Sequence, residues 1–192
     1  MEFVAIDVET ANSNVSSICQ IGLAVFRNGQ LVKEWKTYID PEGCFSGINV
    51  SIHGIDENTV KGAPTIPDIS NKLYRFMDDR VSVCHTHFDR VAIQQAFDKY
   101  KLRHPNCRWL DSARVARRTW AKFAKRGYGL GKICAFLGYD FTPHDALEDA
   151  KAAAYILNTA IEKTSLDIEG WLRRVKQPIC SSGTDRARNK TQ

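Results

Sequence analysis

The segment Phe3-Val-Ala-Ile-Asp-Val-Glu-Thr10 restricts the fold more than any other part of the chain. Its unbroken apolar run, Phe3 to Ile6, fits a strand buried on both faces of a sheet, and such a sheet needs helices above and below it. The run then ends in two carboxylates. Side chains alternate along a strand, so Asp7 and Glu9 point to one face, their backbones about 6.5 to 7 Å apart. Unpaired there, they repel one another and lose hydration, which is costly unless a cation compensates. A divalent metal removes the conflict. The alternative is a strand that stops near Asp7, leaving both acids solvated or capping the next turn.

Two more β-rich runs follow on either side of Asn28-Gly29, a strong hairpin signal, so the opening reads as a three-stranded unit. Residues 40 to 66 are punctuated by Gly and Pro and read as loop, with at most a short helix near Asp56 to Val60. The pattern then predicts a helix from Pro67 to Met77, a strand in RVSVCH, and a helix in DRVAIQQAFDKY. After these come a strand in CRWLD and a helix from about Ser112 to Lys125. A short helix closed by Gly138 and a long Ala-rich helix complete the core elements. Beyond Thr164 the periodicity fades: IEGWLRRV reads as one or two helical turns and SSGTDRARNKTQ as a disordered tail. Strands first and then strands alternating with helices imply an α/β domain with a mixed sheet over residues 1–163, followed by a short extension over 164–192.

At 43% hydrophobic and 26% charged residues, 192 residues supply one ordinary globular core. No apolar run approaches the roughly 20 residues of a membrane span, so a cytoplasmic protein with no membrane partner is expected. The six cysteines are scattered without a C-x-x-C pair and read as free thiols. Charge is uneven: Lys101 to Lys132 holds ten Lys/Arg against the single acid Asp111. On the predicted helix Arg114, Arg118, Lys122 and Lys125 share one stripe, which suggests an anionic partner, nucleic acid being the commonest, or a merely solvated face.

Further acids stand where elements meet. Asp89 lies where a strand gives way to a helix, and Thr86-His-Phe-Asp89 also fits a capping box. In TPHDALEDAKAAA, Asp145 and Glu148 have the spacing of an N-cap and its partner. That leaves His144 just outside the helix and Asp149 one turn in, either free for other work or simply exposed.

Asp7-Val-Glu9 on a first strand, Phe88-Asp89 before a mid-chain helix and His144-Asp-Ala-Leu-Glu-Asp149 opening a late helix together resemble the DEDDh exonucleases. These are the DnaQ-like group of the ribonuclease H-like fold, and the likeness is strongest to the epsilon-like proofreading branch of bacterial DNA polymerase III. It runs from about residue 2 to 160, supported by CQIG, NVSIHGI and LDSARVARRTW. One stretch departs: Cys84-His85-Thr86-His87 stands where many members carry His-Asn shortly before the second Asp, which puts the surroundings of the site and substrate choice in question.

The resemblance implies a mixed five-stranded sheet, antiparallel over strands 1–3 and then parallel, with helices on both faces. It implies two divalent cations, Mg²⁺ or Mn²⁺, held by Asp7, Glu9, Asp89 and Asp149. His144 is implied as general base, imidazole being suited to take a proton at neutral pH. The implied reaction is 3′-5′ exonucleolysis of DNA, or of RNA as in oligoribonuclease. The substrate is nucleic acid with a free 3′ end, and a polymerase or repair protein is a fitting partner.

Thr10, Ala11 and Asn12 are implied to meet the terminal nucleotide, and His53 to lie near the site. Phe88 packs below the site or stacks on a base. Arg114 and Arg118 belong to the stripe that would hold a backbone. Rival readings are a non-catalytic nucleic-acid-binding or scaffold protein, and a zinc module built on Cys84, His85 and His87 with His53 or His104. The latter lacks a fourth ligand at a diagnostic spacing.

Overall fold

The computed structural model describes residues 1–179. Five strands form one sheet in the order β3-β2-β1-β4-β5, where β1 is Glu2–Thr10, β2 Ile18–Arg27, β3 Gln30–Tyr38, β4 Val81–Cys84 and β5 Arg108–Asp111. The pairs β1/β2 and β2/β3 are antiparallel, and β1/β4 and β4/β5 are parallel. This is the expected mixed sheet. The turn between β2 and β3 places Asn28 (φ 51°) and Gly29 (φ 81°) in the left-handed region, as a tight hairpin of this kind requires.

The alternation along β1 divides the core. Phe3 and Ala5 point to one face, where they meet α4 (Ser112–Thr119), α5 (Leu130–Leu137), the long α6 (Ala146–Thr164) and α7 (Ile168–Arg174). Val4, Ile6 and Val8 point to the other, against α2 (Ile66–Met77) and α3 (Phe88–Lys99). Asp7 and Glu9 continue the first series, so both carboxylates emerge on the α6 face. Trp171 and Ile168 of α7 are buried in that same core. Strand β1 also runs on to Thr10, and so does not stop near Asp7.

Three local expectations need correction. The short helix in the 40–66 region is α1, Gly47–His53, started by Ser46, whose side chain accepts from the Ile48 N–H; residues 57–62 form turns. The helix expected over 112–125 ends at Thr119, because Trp120 adopts extended backbone (φ −121°, ψ 117°) and a short 3₁₀ turn, Ala121–Phe123, follows. The basic stripe is therefore broken after Arg118. Finally, the capping box in this part of the fold is Thr65–Asp68 at α2, and Thr86–Asp89 does not form one.

Among the described residues, no helix is long and apolar enough to cross a membrane. Cys19, Cys44, Cys84, Cys107 and Cys134 are free thiols. Cys180 and the tail from Ser181 lie outside the described residues.

Candidate active site

The site forms where β1 outruns its parallel neighbour. Strand β4 pairs with β1 only at Val4↔Ser82 and Ala5↔Val83 and ends at Cys84, so the end of β1 has no strand on that side. The backbone N–H of Val8 instead donates to Asp89 Oδ1 at 3.1 Å. A carboxylate at the start of α3 thus completes the hydrogen bonding of β1, and Asp89 is only 2% exposed. Its side chain is committed to β1 and not to a cap.

On the opposite side of β1, Asp7 pairs with Gly22 and Glu9 with Gln20. These four positions share the α6 face. A Cβ on Gly22 would stand 2.3 Å from the Ala146 carbonyl carbon and the Leu147 nitrogen, so only glycine lets the first turn of α6 lie against the sheet here. Beside it the buried Gln20 Oε1 accepts from the Ala146 N–H at 2.8 Å. Asp145 caps the helix, accepting from the Leu147 and Glu148 N–H groups. Glu148 does not reach back as a capping partner; it pairs with Lys151.

That docking presents Asp149 to the strand acids. Its Oδ2 accepts from the His144 N–H at 3.0 Å, while its buried Oδ1 has no hydrogen-bond partner. His144 holds a left-handed backbone (φ 63°), which turns its exposed ring toward the acids, with Nδ1 3.9 Å from Glu9 Oε1. One ligand atom each from Glu9, His144 and Asp149 lie within 4.8 Å of one another.

Electrostatically the four carboxylates are in conflict. Burial first, then Asp89, Asp149 and Glu9, push the Asp7 carboxyl well above the usual range. Glu9 is pushed up to about 7, by burial and then by Asp149 and Asp145. Burial also raises Asp89 to about 7, against the opposing pull of the Val8 N–H. Asp149 rises to about 6 for the same chief reason, partly offset by the His144 N–H. Hard oxygen donors that repel one another, and an orphaned buried oxygen on Asp149, suit a divalent cation.

Of the other positions singled out from sequence, Thr10 to Asn12 and His53 lie at or beside the end of β1, Phe88 precedes Asp89 on α3, and Arg114 and Arg118 lie on α4. Ile55 N–H donates to His53 Nδ1, so His53 Nε2–H donates to the Thr10 carbonyl at 3.1 Å. Asn49 Nδ2 donates to the same oxygen at 2.8 Å. Ala11 is buried and both its backbone groups are used, N–H to Ser17 and carbonyl from Ser46. The Asn12 amide donates to the Cys44 carbonyl and accepts from the Asn14 N–H. Phe88 is 41% exposed at the start of α3. Arg114 is exposed, 3.9 Å from Asp111, whereas Arg118 donates to the Gln177 and Arg114 carbonyls. Gln20 and Gly22 were visible in the sequence only as part of the supporting stretch CQIG. Their function depends on a helix more than a hundred residues away.

The family model described as Exonuclease matches residues 4–157. The chain belongs to the exonuclease family. Among curated relatives it is 32% identical over 166 residues to a DNA polymerase III PolC-type of Caldanaerobacter subterraneus subsp. tengcongensis, covering 84% of this chain and 12% of that protein. It is 27% identical over 166 residues to the 3′-5′ exonuclease DinG of Bacillus subtilis, covering 84% of this chain and 18% of that protein. The chain thus spans less than a fifth of the length of these relatives.

Among solved structures it matches Exonuclease X in complex with 5′ overhanging duplex DNA (TM-score 0.70, 20% identity, 90% of this chain and 99% of that one). It also matches the nuclease domain of 3′hExo, a DEDDh family member, bound to rAMP (TM-score 0.69, 18% identity, 85% and 92%). The fold of this exonuclease domain is ribonuclease H-like.

Proposed function

We propose that the chain removes nucleoside 5′-monophosphates from the 3′ end of nucleic acid, DNA in preference to RNA, at the cluster around Asp7. The observation that carries this reading is the convergence from three elements of Asp89 and Asp149, buried, and Asp7 and Glu9, partly buried, with no lysine or arginine among the described residues in an ion pair with any of them. These four would hold two divalent cations, Mg²⁺ or Mn²⁺. Such ions neutralise phosphate charge, lower the pKa of bound water and stabilise the departing 3′ oxygen.

The residues of the chain divide the remaining work. Strand β1 fixes Asp7 and Glu9 rigidly, and the Val8–Asp89 bond fixes α3 relative to them. His144, exposed at the rim and near Glu9, accepts a proton from the attacking water. Hydroxide then forms a bond to phosphorus, the bond from phosphorus to the 3′ oxygen of the penultimate sugar breaks, and that oxygen takes up a proton from solvent. Thr10 and the turn after it, braced by His53 and Asn49, face the terminal nucleotide.

The preference for DNA is supported by likeness to chains named for DNA polymerase III. The proposal is tested with 3′-labelled single-stranded DNA, duplex DNA with a terminal mismatch, and short RNA, each with Mg²⁺ and with Mn²⁺. Faster release from either DNA is expected. Release from RNA alone would assign the chain to RNA trimming, and release from none would contradict the activity.

A further inference from the structure

The carboxylate cluster leaves unused a surface of unusual composition. No acid occurs from Ser112 to Gly138, and Lys122, Lys125, Arg126 and Lys132 are all exposed there. In the fold they come from the 3₁₀ turn, the loop after it and the start of α5. They rim two adjoining depressions of about 640 and 600 Å³, to which Tyr128 and Phe136 contribute aromatic faces. Lys122 Nζ lies 4.7 Å from the centre of the Phe136 ring, which is 45% exposed.

A face that served only hydration would not need fixed geometry, yet this loop is pinned from below. His85 Nε2–H donates to the Tyr128 carbonyl at 2.9 Å, and His85 Nδ1 bonds to the Ser112 hydroxyl at 2.8 Å. Arg117 Nε donates to the Ala124 carbonyl, and its guanidinium lies 4.6 Å from the centre of the Tyr128 ring. His85 directly follows β4 and stands four residues before Asp89. The loop is therefore referenced to the same junction that places a site carboxylate. Helix α5, which the loop opens, buries Ile133 and Cys134 in the core shared with α6, the helix that carries Asp149.

We infer that the Lys122–Lys132 surface carries the phosphodiester backbone of the strand leading into the site, with His85 as the positioning residue that fixes it relative to Asp89. This deepens, and rests on, the exonuclease reading. Cations set around the exposed Phe136 ring, with the half-buried Tyr128 beside them, match the two needs of single-stranded nucleic acid, charge neutralisation along the backbone and stacking for the bases. An acidic protein partner would use the charge but has no need of a loop registered to the catalytic junction.

The test compares the wild type with Lys122→Glu/Arg126→Glu and with His85→Asn on two substrates. One is thymidine 5′-monophosphate p-nitrophenyl ester, too small to reach the surface; the other is a long 3′-labelled oligodeoxynucleotide. For the double variant, KM for the oligonucleotide should rise at least about tenfold, and the log–log salt slope should flatten by about 1.4, the value for two lost single-strand contacts. Ester hydrolysis should be unchanged. His85→Asn should raise the same KM, leave ester kcat unchanged and flatten the salt slope less. Unchanged oligonucleotide KM and salt slope beside normal ester hydrolysis would overturn the inference and leave the exonuclease reading standing. Binding of the oligonucleotide in EDTA, read by fluorescence anisotropy, decides independently of catalysis: weaker binding by the double variant supports the surface, and equal binding overturns it. If the wild type hydrolyses neither substrate, the exonuclease reading is what fails.

Discussion

Gly22 and Ala146 touch backbone to backbone: a single added methyl on Gly22 would stand 2.3 Å from the Ala146 carbonyl carbon. Sheet and helix are separated in sequence by more than a hundred residues, and this contact sets how far Asp149 lies from Asp7 and Glu9. Gly22→Ala is therefore expected to push the start of α6 off the sheet, with a loss of about 1–3 kcal/mol or more. Activity should fall more than stability alone explains. Thermal unfolding together with kcat on a 3′-labelled oligonucleotide checks it; a variant with wild-type kcat would show that the helix position is not set here.

Gln20 gives a milder test of the same docking. Gln20→Leu removes the acceptor for the buried Ala146 N–H, and an unsatisfied buried donor costs about 1–3 kcal/mol. Urea denaturation should show that loss, accompanied by weaker Mn²⁺ binding in calorimetry.

The metal-free protein should become less stable as pH rises from 6.5 to 8. The sign follows from proton binding. Glu9 and Asp89 titrate at about 7 in the fold and at their ordinary 4.5 and 3.8 when unfolded. The folded state therefore holds more protons up to that range, and its stability falls as pH passes through it. Below 6.5 the partly buried His53 and His85, whose protonation burial disfavours, act in the opposite direction. Tm in EDTA at the two pH values measures the effect, and added Mn²⁺ should abolish or reverse the slope. A flat Tm in EDTA would contradict the carboxylate conflict.

Asp149→Asn should separate stability from function. The amide oxygen can keep the His144 N–H bond while the charge is lost. In EDTA at pH 8 the variant should be more stable than the wild type by about 1–3 kcal/mol, at about 1.4 kcal/mol for each tenfold change in proton affinity. Stabilisation by Mn²⁺ and hydrolysis should both be largely lost. Lower stability than the wild type in EDTA would mean that the carboxylate is not under strain.

His144→Ala should lower kcat by about 10²–10⁴-fold, the usual contribution of a general base, with little effect on Mn²⁺ binding. An exposed ring at the rim gives no reason for a large change in Tm. Unchanged kcat would assign proton transfer elsewhere.

Much of this was legible from local pattern. The buried run Phe3 to Ile6, the Asn28-Gly29 hairpin and the Ala-rich helix depend on alternation, turn chemistry and propensity, which neighbours in sequence report. The pair Asp7 and Glu9 stood out because like charges at the end of a buried strand are costly, whereas Asp89, His144 and Asp149 were joined to it by the resemblance to DEDDh exonucleases. The helix break at Trp120 was not legible: the apolar spacing of Ala116, Trp120 and Phe123 continues across it, although Trp120 is extended and Phe123 reaches the same core from a 3₁₀ turn. Likewise Asp89 fits a local cap by spacing, and only the early end of β4 leaves Val8 N–H for it to accept. Gln20 and Gly22 act through α6, a contact that no local pattern records.

The central claim, that Asp7 and its partner carboxylates form a metal-dependent exonuclease centre, is tested most directly on a 3′-labelled oligonucleotide with Mg²⁺ or Mn²⁺. The wild type should release labelled mononucleotide, and Asp7→Ala or excess EDTA should abolish the release. Degradation by Asp7→Ala at the wild-type rate would contradict the account.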